Sequence, residues 1–405
     1  MSKNQKHYDV IVMGGGSMGL STAYHLSKRK TKTLVLEQFT FINQLGSSAG
    51  VSRQYRIPYP EEYMVKMALE AKPYWDELQL HTPHQLMDKV GTLWFGDPAV
   101  HSTEGNIGEA EKALKAMKVP YTSLTAKEIE KKYHFTHLPD TYTGLFQADG
   151  ASINIKATQQ TLYDWNSQSP YITLMEEAPV IGIKEVNKTF EVTTPDGTFI
   201  AEKIVVVPGP YINSILNLLH FKIEATYWNM ASAYFKKTDP SIQYPTWFVF
   251  QNAEGNNGNQ FYGFPEVDWN YPGYIRVAPD FVINPLTDPS QRSLIPNKQE
   301  LAYTSEWVKN HMKGLDPTPH YLSTCLIALS KIPNKELLID FAPDFVPNHK
   351  NIVIYATGWA AKFIPFLGKI LSDLALDGHT RFDISPFALG ETYFKSIKKT
   401  AAIYE

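Results

Sequence analysis

The N-terminal part of the chain alternates short apolar runs with one amphipathic segment. Residues Tyr8–Met13 form an apolar, β-branched run, which is typical of a parallel strand buried on both faces. A glycine-rich turn follows at residues 14–19, then helical spacing over Leu20–Lys28, then a second apolar run at Thr33–Leu36 that ends at Glu37. This order predicts a strand–helix–strand unit.

Later apolar patterns predict further elements of both kinds. Helical spacing is found at Glu61–Leu80, Gly108–Met117, Ala126–Lys132, Ile155–Trp165, Lys298–Met312 and Ile364–Leu376. Strands are predicted at Gly91–Gly96, Val180–Val186, Phe190–Thr194, Thr198–Val207 and Asn351–Tyr355. The stretch from Lys222 to Cys325 is mostly strand-like and rich in Pro, Asn and aromatic residues.

The fully apolar runs predict how the chain divides into domains. Ile204–Val207 and Asn351–Tyr355 have the composition of the first strand and suit the same parallel sheet. We therefore expect an α/β fold with an α+β two-domain organisation and a discontinuous nucleotide domain. Its predicted parts are 1–90, 151–220 and 325–390, with a mainly antiparallel β-sheet substrate domain at 91–150 and 221–324 and a C-terminal tail at 391–405.

Composition narrows the class of protein. The chain has 405 residues, 43% apolar and 20% charged, with a formal net charge of −3, which gives no sign of a nucleic-acid or membrane partner. Its one cysteine, Cys325, excludes a disulfide within the chain and a zinc site of several thiolates, and no metal site is predicted. The polar N-terminus and the lack of a long apolar stretch lead us to expect a cytoplasmic protein.

The glycine turn has the spacing Gly14-x-Gly16-x-x-Gly19. In such a turn the first glycine bends the chain, the second lets the backbone approach a pyrophosphate, and the third lets the helix pack on the strand. Glu37 ends the second strand, where an acid accepts hydrogen bonds from ribose hydroxyl groups. The motif predicts a dinucleotide, FAD or NAD. The discontinuous domain favours FAD over NAD. The alternative to dinucleotide binding is a glycine-rich turn that only packs the helix against the strand.

Two other segments carry candidate chemistry. Gly46–Arg56 (GSSAGVSRQYR) combines small residues that admit a flat ring with two arginines three apart, Arg53 and Arg56. Thr357–Lys362 (TGWAAK) follows a buried strand and precedes a helix, the position at which α/β sheets bind ligands. The alternative for Gly46–Arg56 is a solvated loop without a ligand, and the alternative for Lys362 is an ordinary solvated lysine.

These motifs, taken in order, resemble the monomeric sarcosine oxidase and N-methyltryptophan oxidase branch of the D-amino-acid-oxidase-like flavoproteins. The resemblance covers nearly the whole chain and rests on GGGSMG, GSSAGVSRQYRIPY, Tyr262-Gly263-Phe264-Pro265, Cys325 with Leu338-Ile339-Asp340, and Thr357–Phe363. It implies a glutathione-reductase-like FAD-binding Rossmann domain beside the antiparallel domain. It also implies oxidation of a secondary amino acid to an imine, with oxygen as electron acceptor and hydrogen peroxide as product, by a monomer.

The resemblance assigns roles to particular residues. Lys362 and Arg56 would hold the substrate carboxylate, Cys325 would join the flavin covalently, and Arg276 would stand for a lysine that promotes the reaction with oxygen. The predicted catalytic residues are Arg276, Lys362, Arg56 and Arg53. The predicted substrate pocket comprises Arg56, Tyr262, Ile327, Trp359 and Lys362. The predicted FAD contacts are Gly14, Gly16, Ser17, Met18, Gly19, Glu37, Gln38, Gly46, Ser47, Ser48, Ser52, Arg53, Val180, Gly209, Cys325, Gly358, Ala361 and Lys362.

Three positions depart from the family pattern. Arg276 keeps the positive charge of the family lysine but cannot release a proton. Trp359 replaces a histidine and Ile327 a tyrosine, which makes the pocket more apolar, so we expect a bulkier or cyclic imino acid to be preferred over sarcosine. The alternatives that remain are an FAD-dependent dehydrogenase with another acceptor, an NAD-dependent dehydrogenase, and a flavin-binding protein without amine oxidase activity.

Overall fold

The computed structural model describes residues 6–102, 104–332, 336–390 and 395–396. Most of the predicted C-terminal tail, residues 391–394 and 397–405, lies outside the described residues.

The helices and strands alternate in the order that the apolar patterns predict. The helices are α1 (Ser17–Lys28), α2 (Glu62–Gln79), α3 (Ile107–Ala116), α4 (Ala126–Tyr133), α5 (Ile155–Gln168), α6 (Ile212–Leu216), α7 (Lys298–His311) and α8 (Ile364–Asp377). The strands of the N-terminal half are β1 (Lys6–Met13), β2 (Thr33–Leu36), β3 (Ser52–Tyr55), β4 (Met87–Asp88), β5 (Thr92–Gly96), β6 (Thr122–Thr125), β7 (Thr143–Gln147), β8 (Ala151–Asn154), β9 (Ile172–Met175), β10 (Gly182–Val186), β11 (Thr189–Thr194) and β12 (Gly197–Val206). Those of the C-terminal half are β13 (Phe221–Lys222), β14 (Ala225–Lys237), β15 (Thr246–Phe250), β16 (Phe261–Gly263), β17 (Tyr274–Pro279), β18 (Leu315–Ser330), β19 (Leu338–Phe341), β20 (Ile352–Ala356) and β21 (Lys395–Ser396).

The first sheet is parallel at its centre. β1 lies between β2 and β12, and β12 also pairs in parallel with β20. β9 extends the parallel part beyond β2, whereas the hairpin β10–β11 and the strand β19 join in antiparallel fashion. The apolar runs therefore form one sheet assembled from distant parts of the chain, as the sequence predicts.

The helices α1, α5 and α8 pack against this sheet, and the contact between α1 and α8 matters most for the site. Ser21 donates a hydrogen bond to the carbonyl of Ile364 (2.8 Å), and His25 Nε2 donates one to Pro365 (2.8 Å). A side chain at Gly368 would overlap Ser21, so the two helices pack closely. This contact fixes the N-terminal turn of α8 against the helix that follows the glycine turn.

The second sheet has the order β18-β14-β17-β16-β15-β5-β7-β6 and is antiparallel except where β15 pairs with β5. One face packs under α7 with a core rich in aromatic rings, including Phe135, Trp247 and Trp307. The smaller sheet β3-β8-β4 contains part of the Gly46–Arg56 segment. The sequence analysis did not predict the short helix α6 or the short strands β3, β4, β6, β7, β8, β9, β13, β19 and β21.

No helix in the described ranges is both long enough and apolar enough to cross a membrane.

Candidate active site

The glycine turn brings backbone, rather than side chains, to the C-terminal ends of β1 and β2. Gly14 has φ +115°, and its N–H donates to the carbonyl of Leu36 (2.8 Å). A Cβ atom at Gly19 would overlap the carbonyl oxygen of Gly14, so the third glycine is what lets α1 begin so close to the strand. The N-terminal end of α1, where the Ser17 N–H donates a hydrogen bond to the Ser48 hydroxyl (3.1 Å), consequently faces an open cavity.

Glu37 closes this turn from the neighbouring strand. Its carboxylate accepts hydrogen bonds from the N–H groups of Gly15 (2.7 Å) and Phe39 (2.9 Å). Burial raises the pKa of Glu37, although these N–H bonds oppose the shift. The acid is thus built into the wall of the cavity, as the spacing predicts.

We call this space the dinucleotide cavity. It runs along the glycine turn and continues past the segment 46–48 to the loop that precedes α8. The predicted cofactor residues that line it are Gly14, Gly16, Ser17, Met18, Glu37, Gln38, Gly46, Ser47, Ser48, Val180, Gly209, Gly358 and Ala361. The other predicted cofactor residues, namely Gly19, Ser52, Arg53, Cys325 and Lys362, do not line it.

A second space, the charged pocket, adjoins the dinucleotide cavity. The two share a wall made of Ser47, Ile327, Gly358, Ala360 and Ala361. The charged side chains that line the pocket are Arg53, Arg56, Glu104, Arg276, Asp280 and Lys362. Tyr262, Cys325, Ile327 and Trp359 also line it, so all the predicted substrate-pocket residues come together here.

Arg53 holds the segment 47–52, which lies between the dinucleotide cavity and the charged pocket, by hydrogen bonds. Its guanidinium donates hydrogen bonds to the carbonyls of Ser47 (2.8 Å) and Ser52 (2.8 Å) and to the sulfur of Cys325 (3.2 Å). The Cys325 thiol lies 3.6 Å from the Ser47 carbonyl oxygen, which accepts its hydrogen bond. Cys325 is therefore held beside the shared wall.

Arg56 is buried with its own counterion. Its guanidinium forms a salt bridge with Glu104, and both side chains are less than a tenth exposed. The guanidinium also lies over the rings of Tyr59 (4.7 Å) and Trp94 (4.9 Å). Burial alone would lower the pKa of Arg56, but the adjacent Glu104 carboxylate outweighs it and the pKa is raised. Arg56 is thus charged and oriented.

Lys362 differs from Arg56 because no described carboxylate lies within 4.0 Å of its Nζ atom. The side chain is only 5% exposed, and Nζ lies 5.0 Å from the Tyr59 ring. Burial, together with the charge of Arg56, lowers the pKa of Lys362. A buried ammonium group that lines a pocket without a paired carboxylate can receive one from a ligand.

The backbone around Lys362 is anchored on three sides. The Thr357 hydroxyl donates to the carbonyl of Glu336 (2.8 Å), and the Gly358 N–H donates to Ala328 (3.0 Å). The carbonyl of Lys362 itself accepts a hydrogen bond from the Trp75 indole (2.7 Å). Since Thr357 and Gly358 both have positive φ, the turn is sharp enough to place Lys362 in the pocket and α8 outside it.

Arg276, on β17, also lines the pocket. Its guanidinium donates to the carbonyl of Ser52 (2.7 Å) and stacks on Phe264 at 4.7 Å. Nearby, burial raises the pKa of Tyr262 to about 12, so this phenol remains neutral at physiological pH. Trp359 makes an edge contact with Trp228 (6.3 Å), which gives the pocket an aromatic wall.

Three acidic residues near the site were not predicted. Glu104 and Asp280 line the pocket, and Glu336 has a buried Oε2 atom that lacks a hydrogen-bond partner in the described structure. They lie on loops far apart in sequence, and acids on loops are usually solvated. No local pattern could have distinguished them.

The residues of the dinucleotide cavity fit FAD. Side chains at Gly14 and Gly15 would overlap neighbouring groups, so the turn offers backbone N–H groups and the end of a helix to a pyrophosphate. Glu37 suits a ribose, and the far end of the cavity, between Gly358 and Ile327, opens onto the charged pocket. A bound flavin would supply a hydride acceptor next to the pocket.

Comparison with known proteins agrees with this geometry. The model of the FAD dependent oxidoreductase family, DAO, matches residues 9–374. Human peroxisomal sarcosine oxidase is 26% identical over 98% of this chain and 99% of its own length. The monomeric sarcosine oxidase of an Arthrobacter species is 28% identical over 96% of this chain and 98% of its own.

A Dictyostelium discoideum protein named as a bifunctional amine oxidase is 33% identical over 94% of this chain, which spans only 37% of that longer protein. Among solved structures, the open form of NikD, described as an unusual amino acid oxidase essential for nikkomycin biosynthesis, is 34% identical with a TM-score of 0.89. That match covers 95% of this chain and 97% of NikD. The fold, the cavity and the matched family together show that the chain belongs to the DAO family of FAD-dependent oxidoreductases.

Proposed function

We propose that the protein oxidises the C–N bond of a secondary amino acid, N-alkyl or cyclic, to an imine, with FAD as hydride acceptor. Oxygen then reoxidises the flavin and yields hydrogen peroxide. The observation that carries this proposal is Lys362, a buried ammonium group with no described carboxylate in salt-bridge reach, which lines the pocket next to the dinucleotide cavity. A substrate carboxylate held there would leave its amine side facing the shared wall.

The surrounding residues support this substrate class. Arg56 adds a second positive charge but is already paired with Glu104, so it orients the ligand while Lys362 supplies the free charge. Trp359 and Ile327 offer an apolar wall in place of hydrogen-bonding groups. A larger or cyclic N-substituent gains more contact with such a wall than the methyl group of sarcosine.

The test is reduction of the flavin without oxygen. The purified holoprotein is mixed with sarcosine, N-methyl-L-tryptophan or L-proline, and loss of the oxidised-flavin absorbance is followed. We expect at least one of the two larger amino acids to reduce the flavin faster than sarcosine does. If Lys362 binds the carboxylate, Lys362→Met lowers kcat/KM by roughly 100-fold, about 3 kcal/mol. A flavin that no amino acid reduces would contradict the proposal.

The electron acceptor is a separate part of the proposal. Arg276 stays charged but has no proton to release, and its guanidinium is bound to the carbonyl of Ser52. This observation favours a second candidate function, a dehydrogenase that passes electrons to another acceptor. Admitting oxygen after anaerobic reduction decides between them, because an oxidase regains its flavin absorbance within seconds and produces stoichiometric peroxide.

We propose that Cys325 forms a covalent bond to the flavin. The thiol lies beside the shared wall and receives a hydrogen bond from Arg53 (3.2 Å). After acid precipitation, the flavin colour of the wild-type protein is expected in the pellet. That of Cys325→Ser is expected in the supernatant. Release from both proteins would refute the covalent link and leave FAD binding intact.

The predicted domain bounds also remain a proposal. The strands of the first sheet fall within residues 1–90, 151–220 and 325–390, which supports it, whereas β18 of the second sheet runs on to Ser330. Relatives named as monomeric sarcosine oxidases support a monomer. The single cysteine supports a reducing compartment such as the cytoplasm, although the human relative is named as peroxisomal.

A further inference from the structure

Gln54 lines the charged pocket but has no part in the function proposed so far. It lies within β3, and its side-chain NH₂ group donates two hydrogen bonds. The acceptors are the carbonyl oxygens of Trp247 (3.0 Å) in β15 and Gly263 (3.1 Å) in β16. Both N–H bonds of the amide are thereby used, and the side chain is tied to two strands of the second sheet. Gln54 is consequently held in one orientation.

These two hydrogen bonds also decide which end of the Gln54 amide is left for a ligand. A carbonyl oxygen only accepts hydrogen bonds, so the NH₂ group must be the end that meets Trp247 and Gly263. The other end, Oε1, accepts no hydrogen bond from any residue that the structure describes, and it is not among the buried unpartnered oxygens. The pocket therefore contains a fixed, uncharged hydrogen-bond acceptor that a ligand can reach.

The acceptor stands close to the turn that carries Lys362. The strand β3 lies next to residues 361–363, and the side chains of Gln54 and Lys362 both line the pocket. In an α-amino acid a single carbon atom separates the nitrogen from the carboxylate carbon. A ligand whose carboxylate is bound by Lys362 therefore has its nitrogen in the neighbourhood of Gln54.

The charge of the pocket explains why an uncharged acceptor suits an amine. Basic side chains outnumber acidic ones in its lining, with Arg53, Arg56, Arg276 and Lys362 against Glu104 and Asp280. Positive surroundings disfavour a protonated amine and favour the neutral one, whose lone pair assists the departure of a hydride from the adjacent carbon. A carboxylate placed at the nitrogen would stabilise the ammonium form, whereas an amide oxygen accepts an N–H bond without adding charge.

We propose that Gln54 Oε1 accepts a hydrogen bond from the N–H of the substrate's secondary amine. A neutral secondary amine has one N–H bond and one lone pair, so fixing the N–H bond also fixes the direction of the lone pair. A tertiary amine has no N–H bond and would leave Oε1 without a donor. Gln54 is thus a residue that selects secondary over tertiary amines. The proposal rests on the function proposed above.

The test compares two aromatic ligands that differ at a single ring position. Pyrrole-2-carboxylate has an N–H group beside the carbon that carries its carboxylate, and furan-2-carboxylate has an oxygen there. Neither ring can be oxidised as an amine, so binding is measured without turnover. Calorimetric titration of the oxidised holoprotein is expected to show about tenfold tighter binding of pyrrole-2-carboxylate, because the furan oxygen has no proton to share with Oε1.

Variants assign that preference to one side chain. Gln54→Met keeps the length of the side chain but removes the acceptor, so pyrrole-2-carboxylate should bind about tenfold more weakly. Furan-2-carboxylate should bind to it as before, which shows that the rest of the pocket is intact. Gln260→Met is the matched control, because that amide also donates to a carbonyl, of Gln251 (3.5 Å), but does not line the pocket. The preference should be unchanged in it.

Two results would overturn this proposal alone. One is equal affinity of the wild-type protein for the two ligands, a comparison that does not depend on the folding of any variant. The other is a preference for pyrrole-2-carboxylate that persists in Gln54→Met. If Lys362→Met binds both ligands as tightly as the wild type does, the carboxylate site itself is refuted, so the two failures can be told apart.

Discussion

The dinucleotide cavity and the charged pocket share a wall but are built from different groups. At its glycine turn the cavity is formed by backbone, because Gly14 and Gly19 leave no room for side chains. The pocket is formed by charged and aromatic side chains that arrive from separate strands and loops. A backbone site needs only one local conformation, whereas a side-chain site needs several elements to be placed correctly at once. The comparison predicts different responses to mutation.

The largest effect, an almost complete loss of the bound flavin, is expected at the glycine turn. In Gly19→Ala the added methyl group overlaps the Gly14 carbonyl oxygen, so strand and helix must separate, at a cost of about 1–3 kcal/mol. The pyrophosphate site is lost with that movement, and we expect the purified protein to contain almost no flavin by absorbance. Gly182→Ala, in the outer strand β10, is the control, because its Cβ atom makes only ordinary contact with Thr193. Equal flavin content in both variants would contradict the backbone interpretation.

The next effect is expected at the buried ion pair of the pocket. Glu104→Ala leaves the Arg56 guanidinium buried and unpaired, which is expected to lower the free energy of unfolding by about 3–5 kcal/mol. The double variant Arg56→Met/Glu104→Leu should regain most of that loss. Denaturant titration measures both.

The exposed pair Lys72–Asp76 provides the control for this comparison. Its side chains are 43% and 64% exposed, so removing Asp76 should cost no more than about 0.5 kcal/mol. If Glu104→Ala lowered the free energy of unfolding as little as Asp76→Ala, the pocket would be far more hydrated than the burial of Arg56 and Glu104 indicates.

A third effect, on the pH dependence of stability, concerns the contact between α1, which follows the glycine turn of the dinucleotide cavity, and α8, which follows the Lys362 loop of the charged pocket. Burial lowers the pKa of His25 to about 4 from its usual 6.5. Between these values the unfolded chain binds more protons than the folded one, so stability falls as the pH falls through this window. From pH 7 to about pH 4.5 the loss should be about 2–3 kcal/mol greater in wild type than in His25→Gln. Urea unfolding at the two pH values measures it.

The matched control for this prediction is His81→Gln, because His81 is exposed. That variant should retain the acid sensitivity of the wild type. An identical pH dependence in wild type and His25→Gln would show that α1 and α8 are not joined through a neutral His25.

The smallest effect concerns the choice of substrate. Trp359→His restores a polar group to the aromatic wall and removes bulk, so sarcosine should gain relative to a larger N-alkyl amino acid. We expect the ratio of their kcat/KM values to change by about 10-fold, or about 1.4 kcal/mol. Trp359→Phe, which keeps the wall apolar, should change it less. No change in Trp359→His would show that another residue limits the size of the substrate.

The sequence predicts the dinucleotide cavity much better than the charged pocket. The turn from Gly14 to Gly19 and the acid at Glu37 are local signals, because their spacing alone fixes which atoms meet. Arg56 and Lys362 stand in segments that the sequence marks as candidates, but their role as carboxylate ligands came only from the family resemblance. Their opposite states, one paired and one without a described counterion, have no signature in sequence. Glu104 and Glu336 gave no signal at all.

The sequence by itself determined the strand–helix–strand unit, the cofactor class and the order of the main elements, because apolar periodicity and glycine spacing act over a few residues. The tertiary structure decided the charge pattern of the pocket. It paired Glu104 with Arg56, placed Lys362 in the lining of the charged pocket and buried an oxygen of Glu336 without a hydrogen-bond partner among the described residues. Electrostatic energy in a protein depends on distance and burial, and neither is defined until distant segments have packed together.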